Sequence, residues 1–329
     1  MGSQKNLISV HNLKKSFKVL KKDAGVLGAL KALVSADYKI IEAVKGISFD
    51  IGRGEMVGYV GPNGAGKSTT IKMLSGILYP DSGTISVAGV NPFRDRKKYA
   101  MKLGVMFGQR TQLWWDLPVS ESFDLLKSIY RIDNKRYSEN IEYFNFLLKI
   151  NEFWSQPVRR LSLGQRVRAD LAASLLHDPE VLLLDEPTIG LDVLARDAFR
   201  MMIKGINNDR KTTVLLTSHD LGDIEMIAQR LILIDLGEVL YDGSLAGFMK
   251  KYSHLSRVTI QFQKKDKKID FPKGVSLIES GSNRVLLEVD TRILLYKDLL
   301  NLIPRWGDVK DIHMELASLE EILSQIYRH

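Results

Sequence analysis

Gly61-Pro62-Asn63-Gly64-Ala65-Gly66-Lys67-Ser68 is the stretch that decides the fold. It fits the spacing G-x-x-x-x-G-K-[ST], in which glycines let successive backbone N–H groups turn toward phosphate oxygens. The helix that follows such a loop adds the partial positive charge of its N-terminus. At average residue usage the pattern arises by chance in about one chain in a hundred of this length. Context argues against chance here, because apolar residues 55–60 read as a strand leading in and residues 69–75 as a helix leading out. Lys67 is placed to neutralise phosphate charge, and the Ser68 hydroxyl to ligate Mg2+. Gly61, Pro62, Asn63, Gly64, Ala65, Gly66, Lys67, Ser68 and Thr69 are the expected nucleotide-binding residues.

A second signal lies further along. Val181-Leu182-Leu183-Leu184-Asp185-Glu186 is an apolar strand that delivers two adjacent carboxylates at its C-terminal end. In an open α/β sheet that end faces the ligand crevice. Asp185 suits a hydrated Mg2+, and Glu186 suits polarising an attacking water. Around these motifs, residues 7–10, 43–51 and 213–216 read as strands. Residues 119–130, 139–149 and 194–206 read as helices, which gives an α/β core with a helical insertion at about 110–175. After residue 245 the texture changes. Residues 258–263, 285–289 and 309–316 read as strands, and 293–303 and 319–327 as helices. A large domain over 1–245 and a small α+β accessory or regulatory domain over 246–329 follow from that change.

Bulk composition narrows the classes. With 329 residues, 45% of them hydrophobic, the chain can build a sizeable core. It has no cysteine, which excludes disulfides and Cys-based metal or nucleophile chemistry and fits a reducing compartment. No apolar run approaches the roughly 18 residues of a membrane span. Neither a signal-peptide pattern nor a myristoylation pattern is seen, since Asn6 stands where Ser or Thr is needed. The expectation is a chain that neither crosses a membrane nor carries an anchor. The net charge of +8 is uneven, with nine lysines against Asp23, Asp37 and Glu42 in residues 1–48. Such a segment suits anionic lipid, nucleic acid or water alike.

The sequence between the two phosphate motifs carries a family resemblance. Leu161-Ser162-Leu163-Gly164-Gln165 resembles the LSGGQ signature of ABC ATPases, and it stands between the phosphate loop and Asp185 as in that family. Gln109 in Gly108-Gln109-Arg110 is similar to the Q-loop glutamine. Glu186-Pro187-Thr188-Ile189-Gly190-Leu191-Asp192 looks like the catalytic glutamate running into the D-loop. His219 resembles the switch histidine, and Phe17 the aromatic that stacks on adenine. The resemblance covers residues 7–245 and implies a P-loop NTPase fold of the ABC ATPase type, with ATP and Mg2+ as cofactors. It further implies catalytic roles for Glu186, His219, Gln109 and Lys67, and metal contacts from Ser68, Gln109 and Asp185. Ser162, Gly164 and Gln165 would serve the partner subunit's nucleotide, with Asp192 at the dimer seam. Two departures stand out. Leu163 replaces a signature glycine and is expected to point away from the phosphates. An insertion over 18–41 separates Phe17 from the phosphate loop and makes Tyr38 its rival for adenine.

Further expectations rest on the same resemblance. Gly108-Gln109-Arg110 followed by Trp114-Trp115, the Leu163-Gly164-Gln165-Arg166 run and the C-terminal appendix resemble ATPases of ABC-2-type exporters, which handle drugs, lipid-linked polysaccharides and other amphiphiles. Membrane permeases on separate chains, a homo- or heterodimer of ATPases, a place at the cytoplasmic face of the membrane and no nucleic-acid partner are implied. Trp114 and Trp115 would dock the permease or else fill the core. Residues 23–35 have helical apolar spacing, suited to a membrane surface, the permease or the chain's own domain. An importer ATPase and a permease-free ABC ATPase acting on nucleic acid or ribosomes remain alternatives. The long heptad-rich insertion or doubled cassette of the latter is absent.

Overall fold

In this computed structural model the described residues are 6–20, 38–108, 110–252, 255–265, 269–316 and 318–327. They divide into two compact units, Met1–Gly243 and Ser244–His329.

The centre of the first unit is a six-stranded sheet. Its strands are β3 (Met56–Val60), β5 (Leu103–Phe107), β6 (Val181–Asp185), β7 (Thr213–Thr217), β8 (Arg230–Asp235) and β9 (Glu238–Ser244), ordered β5-β6-β7-β3-β8-β9. The pairs β5/β6, β6/β7, β7/β3 and β3/β8 are parallel. All five residues of β3 and of β7 are buried, as are the first four of β6. Such unbroken apolar runs belong to strands covered on both faces. The chain leaves β3 between β7 and β8, so the strand order reverses beside the phosphate loop. Loops from the C-terminal ends of β3, β5, β6 and β7 open on one edge of the sheet, where ligands of doubly wound folds bind.

A three-stranded antiparallel sheet, β2-β1-β4, comprises β1 (Ile8–Leu20), β2 (Tyr38–Ile51) and β4 (Ser82–Val87). Its inward residues Ile8, Val10, Val44, Phe49, Ile51 and Ile85 share one core with Tyr59, Leu183 and Leu215 of the large sheet, and with Ile71 of α1 (Lys67–Leu74). β1 runs far past the short strand expected at 7–10. It pairs with β4 only as far as Lys14↔Ser82, but with β2 all the way to Leu20↔Tyr38. The 18–41 insertion therefore begins and ends as the two arms of a β-ribbon. The expected helix at 23–35 lies outside the described residues.

Between β5 and β6 the chain builds α3 (Val119–Tyr130), α4 (Asn134–Leu148), two short 3-10 turns (Ile150–Phe153 and Val158–Arg160) and α5 (Leu163–Leu175). α2 (Arg96–Ala100) precedes β5, α6 (Val193–Arg210) joins β6 to β7, and α7 (Leu221–Ile227) leads from β7 toward β8. α4 starts five residues before the expected 139, because the Asp133 side chain caps it by accepting from Arg136 N–H at 2.9 Å.

The second unit holds α8 (Leu245–Tyr252) and a four-stranded antiparallel sheet. Its strands β10 (Leu255–Lys265), β11 (Val275–Ser280), β12 (Arg284–Asp290) and β13 (Gly307–Leu316) are ordered β11-β12-β10-β13. Val258, Ile260, Phe262, Leu287 and Val289 pack with Leu299 and Trp306. α9 (Tyr296–Leu302) is shorter than the expected 293–303 and passes into a 3-10 turn, Ile303–Trp306, at Pro304. α10 (Leu319–Ile326) closes the described chain.

Candidate nucleotide site

The phosphate loop closes over its own lysine. Lys67 Nζ donates to the carbonyl oxygens of Gly61 at 2.6 Å and Pro62 at 3.0 Å, and the side chain is buried. Burial lowers the ammonium pKa, while Glu186 and Asp185 pull it back up. Two glycines are sterically required. A Cβ on Gly61 would lie 2.3 Å from the Ile234 carbonyl oxygen, and one on Gly66, where φ is +104°, would lie 2.4 Å from that of Ala43.

Asp185 and Glu186 leave β6 beside this loop. Asp185 Oδ1 accepts from Thr217 Oγ1 at 2.7 Å and from Ser68 Oγ at 3.4 Å. Glu186 sits at φ +55°, and its N–H donates to the Thr217 carbonyl at 3.1 Å and the Thr217 hydroxyl at 3.2 Å. Its Oε1 is 2.7 Å from His219 Nε2. β5 ends alongside: Gly108 N–H donates to the Asp185 carbonyl at 2.9 Å, and Arg110 N–H to the Phe107 carbonyl at 2.9 Å. A cavity of about 330 Å³ lined by Ser68, Lys72, Ile77, Phe107, Gly108, Arg110, Asp185 and Glu186 opens between the three loops.

The fold thus brings together Lys67, Ser68, Asp185, Glu186 and His219. Gln109 lies outside the described residues, although its neighbours on both sides are held by the bonds just given. Thr217 was not singled out from the sequence. It is fully buried, and its hydroxyl donates to the Asp185 carboxylate while accepting from the Glu186 backbone N–H. Its only sequence signal was its place two residues before His219.

The residues suit a phosphate-bound cation. Ser68 Oγ and Asp185 Oδ1 are hard oxygen donors next to the cradle. Among the described residues no group of three or more His, Asp or Glu side chains could hold a metal by itself. An ion shared between a few protein oxygens and phosphates is the arrangement Mg2+ favours.

Phe17 and Tyr38 lie at different depths on the ribbon. β2 passes the phosphate loop at Ala43 and Val44, where both approach Gly66. Phe17 pairs with Ile41, two residues from Ala43, whereas Tyr38 pairs with Leu20 at the far end. At about 3.3 Å per residue Tyr38 is some 10 Å further along the strand than Phe17.

Ser162, Gly164 and Gln165 do not join the phosphate loop. Ser162 caps α5: its Oγ accepts from Gln165 N–H at 3.2 Å, and Gln165 Oε1 accepts from Ser162 N–H at 2.9 Å. This capping box is legible as S-x-x-Q in the sequence and was not read there. Leu163 is directed onto its own chain's Gly190, its Cδ2 lying 3.2 Å from where a Cβ on that glycine would stand. Asp192 caps α6 by accepting from Ala195 N–H at 2.8 Å. The start of α5 therefore rests against the loop that follows Glu186.

Neither indole of the Trp loop is core, since Trp114 and Trp115 are 39% and 49% exposed. Asp170 of α5 holds this loop from below, with Oδ1 accepting from Thr111 Oγ1 at 2.7 Å and Gln112 N–H at 3.1 Å. Trp115 O accepts from Arg159 N–H at 3.0 Å, and the Arg166 guanidinium lies 5.6 Å from the Trp115 ring centre.

Comparison with known proteins agrees with this geometry. The family described as "ABC transporter" matches residues 44–189. The ABC transporter ATP-binding protein NatA of Bacillus subtilis (strain 168) is 32% identical over 207 residues, covering 63% of this chain and 84% of NatA. The linearmycin resistance ATP-binding protein LnrL of the same organism is 36% identical over 205 residues, and the match spans 61% of this chain and 64% of that protein. A dimeric bacterial ABC transporter cassette superposes with TM-score 0.58 at 26% identity, over 72% of this chain and 98% of the cassette. The chain belongs to the ABC transporter family, as an ATP-hydrolysing subunit that resembles ABC-2-type exporter ATPases.

Proposed function

We propose that two copies of this ATPase, or one copy and a homologous chain, close over ATP and drive export of an amphiphilic substrate through ABC-2-type permeases on separate chains. The observation that carries the dimer is the division of the signature from the phosphate loop. Ser162 stands exposed at the N-terminus of α5 and bonds only within its own helix, while Lys67, Asp185 and Glu186 converge elsewhere on the chain. A helix N-terminus turned outward is a phosphate receptor for a second molecule. The dimeric state of the related cassette supports the same reading.

In each composite site Lys67 and the loop N–H groups of residues 61–69 would bind the phosphates from one side. Ser162, the Gly164 N–H and Gln165 of the partner would bind them from the other, with Asp192 at the seam. Phe17 would stack on adenine. Bound Mg2+, held by Ser68 and Asp185 with Gln109 near it, would neutralise charge between the β- and γ-phosphates. Glu186 would orient and deprotonate the attacking water, and His219 would hold Glu186 and contact the γ-phosphate. Trp114 and Trp115 would dock the permease. Such docking would hold the chain at the cytoplasmic membrane face through a partner, in keeping with the lack of any membrane-crossing helix among the described residues. Residues 1–245 would form the motor, and 246–329 an accessory regulatory domain. The name of the linearmycin-resistance relative supports a drug-like cargo.

Glu186→Gln keeps the shape of the base and removes its charge. ATP binding should persist, turnover should fall by about 10²-fold or more, and a dimer should accumulate with ATP. ATP hydrolysis by Glu186→Gln at the wild-type rate would show that Glu186 is not the base. For the cargo and direction, co-purification with two polytopic permeases supports export, while a solute-binding protein in the complex would favour import.

A further inference from the structure

Thr188, Ser218 and Asp223 meet in a buried polar cluster that none of the steps above employs. Asp223, in the first turn of α7, has no exposed surface, and Thr188 and Ser218 are each 4% exposed. Asp223 Oδ2 accepts from both hydroxyls, Thr188 Oγ1 and Ser218 Oγ, the latter at 2.7 Å. Its other oxygen, Oδ1, accepts from Arg200 Nε of α6 at 2.7 Å. Arg200 in turn pairs with Asp197 at 2.8 Å and reaches Asp220 at 3.4 Å, and Arg196 also pairs with Asp220. Ser218 Oγ also accepts from Asp220 N–H at 3.1 Å, so every side-chain oxygen of Thr188, Ser218 and Asp223 is committed.

We propose that Asp223 is a positioning residue, whose single oxygen Oδ2 clamps the loop after Glu186 to the loop carrying His219 and so sets the geometry between those two side chains. The inference rests on the reading of Glu186 and His219 as a working pair. Thr188 is separated from Glu186 by Pro187 alone, and Ser218 is the residue before His219. Both hydroxyls thus sit within two residues of the groups that approach to 2.7 Å. An ion pair with Arg200 needs only one face of the carboxylate. The opposite face is taken up by two loops that no strand pairing joins beyond Asp185↔Thr217. Glu186 also holds a left-handed φ of +55°, a conformation that a non-glycine residue keeps only where its surroundings enforce it. All three side chains are buried, so a lost bond leaves a buried polar group short of a partner. Cutting either hydroxyl therefore frees one loop without removing any group that touches nucleotide.

The test uses full-length protein, steady-state ATPase kinetics and four variants. Thr188→Val and Ser218→Ala each remove one bond to Asp223, and both spare the Arg200–Asp223 pair, so folding is retained. Each should lower kcat by about tenfold while KM for ATP stays within about twofold, because misplacement of a reacting group acts on turnover. Thr188→Ser, which keeps the hydroxyl, should restore kcat. The Thr188→Val/Ser218→Ala double variant should lose little more than the worse single, as expected when two bonds serve one geometry. Wild-type kcat in both single variants would overturn the clamp, and so would failure of Thr188→Ser to rescue or full multiplication of the two losses. The underlying reading fails separately. An active Glu186→Gln removes it, whereas an inactive Glu186→Gln beside unaffected Thr188→Val and Ser218→Ala removes the clamp alone.

Discussion

Gly108 shows how closely the reacting residues depend on backbone. A Cβ there would stand 1.8 Å from the Glu186 carbonyl oxygen, and neither backbone can give way cheaply. Gly108→Ala should therefore shift Glu186 or the end of β5 and cut kcat by about 10²-fold, with the fold largely kept. Circular dichroism beside ATPase assays would check that split. Two buried titrating residues make a second prediction. Burial lifts the Asp170 carboxyl from 3.8 to about 6, against the bonds from Thr111 and Gln112. Its contribution to stability is full below pH 3.8 and lost as pH rises through 6. Burial lowers the His177 imidazole from 6.5 to about 4, against its bond to the Leu103 carbonyl. Its contribution is full above pH 6.5 and lost as pH falls through 4. The two slopes oppose each other and nearly cancel. Asp170→Asn should unmask His177, so that stability falls by up to about 3 kcal/mol between pH 6.5 and 4. His177→Asn should do the reverse, and thermal melts across that range would show both. Motif residues such as Lys67 and Asp185 were legible because their chemistry is local in sequence. Thr217 and Asp170 were not, because their partners lie 32 and 58 or 59 residues away.

At the scale of elements, the buried strands β3, β6 and β7 were readable as short apolar runs. β4 and β11 were not. β4 begins with three exposed residues, which leaves only Ile85 and Val87 as an apolar face, and every residue of β11 after its first is exposed. The early start of α4 was hidden by a polar first turn, Asn134 to Ser138, which needs its Asp133 cap rather than apolar spacing. The β1–β2 ribbon was missed for a related reason. Its length comes from pairing between arms that are distant in sequence, with Val19, Tyr38 and Ile40 left exposed at the tip. The ribbon's geometry separates the two candidates for adenine. Phe17→Ala should raise KM for ATP about tenfold, the size of one lost stacking contact, and Tyr38→Ala should leave it unchanged. Nucleotide titration of both variants decides between them, and the reverse pattern would put the base on the outer ribbon.

For the whole molecule, sequence motifs pointed to the nucleotide chemistry, and in the proposed function that chemistry is complete only where two chains meet. The phosphate loop, the carboxylates and His219 meet at one sheet edge, while Ser162 caps α5 and bonds only within that helix. Texture in the sequence also announced a change near residue 245, where the second compact unit begins at Ser244. A site shared between protomers has a signature that can be tested by mixing. Lys67→Ala destroys the cradle and spares Ser162; Ser162→Arg blocks the signature and spares the cradle. Each variant alone should be inactive, and an equal mixture forms some dimers with one intact composite site. ATPase activity of that mixture should return to about a quarter of wild type. Mixed dimers as inactive as either parent would contradict the account.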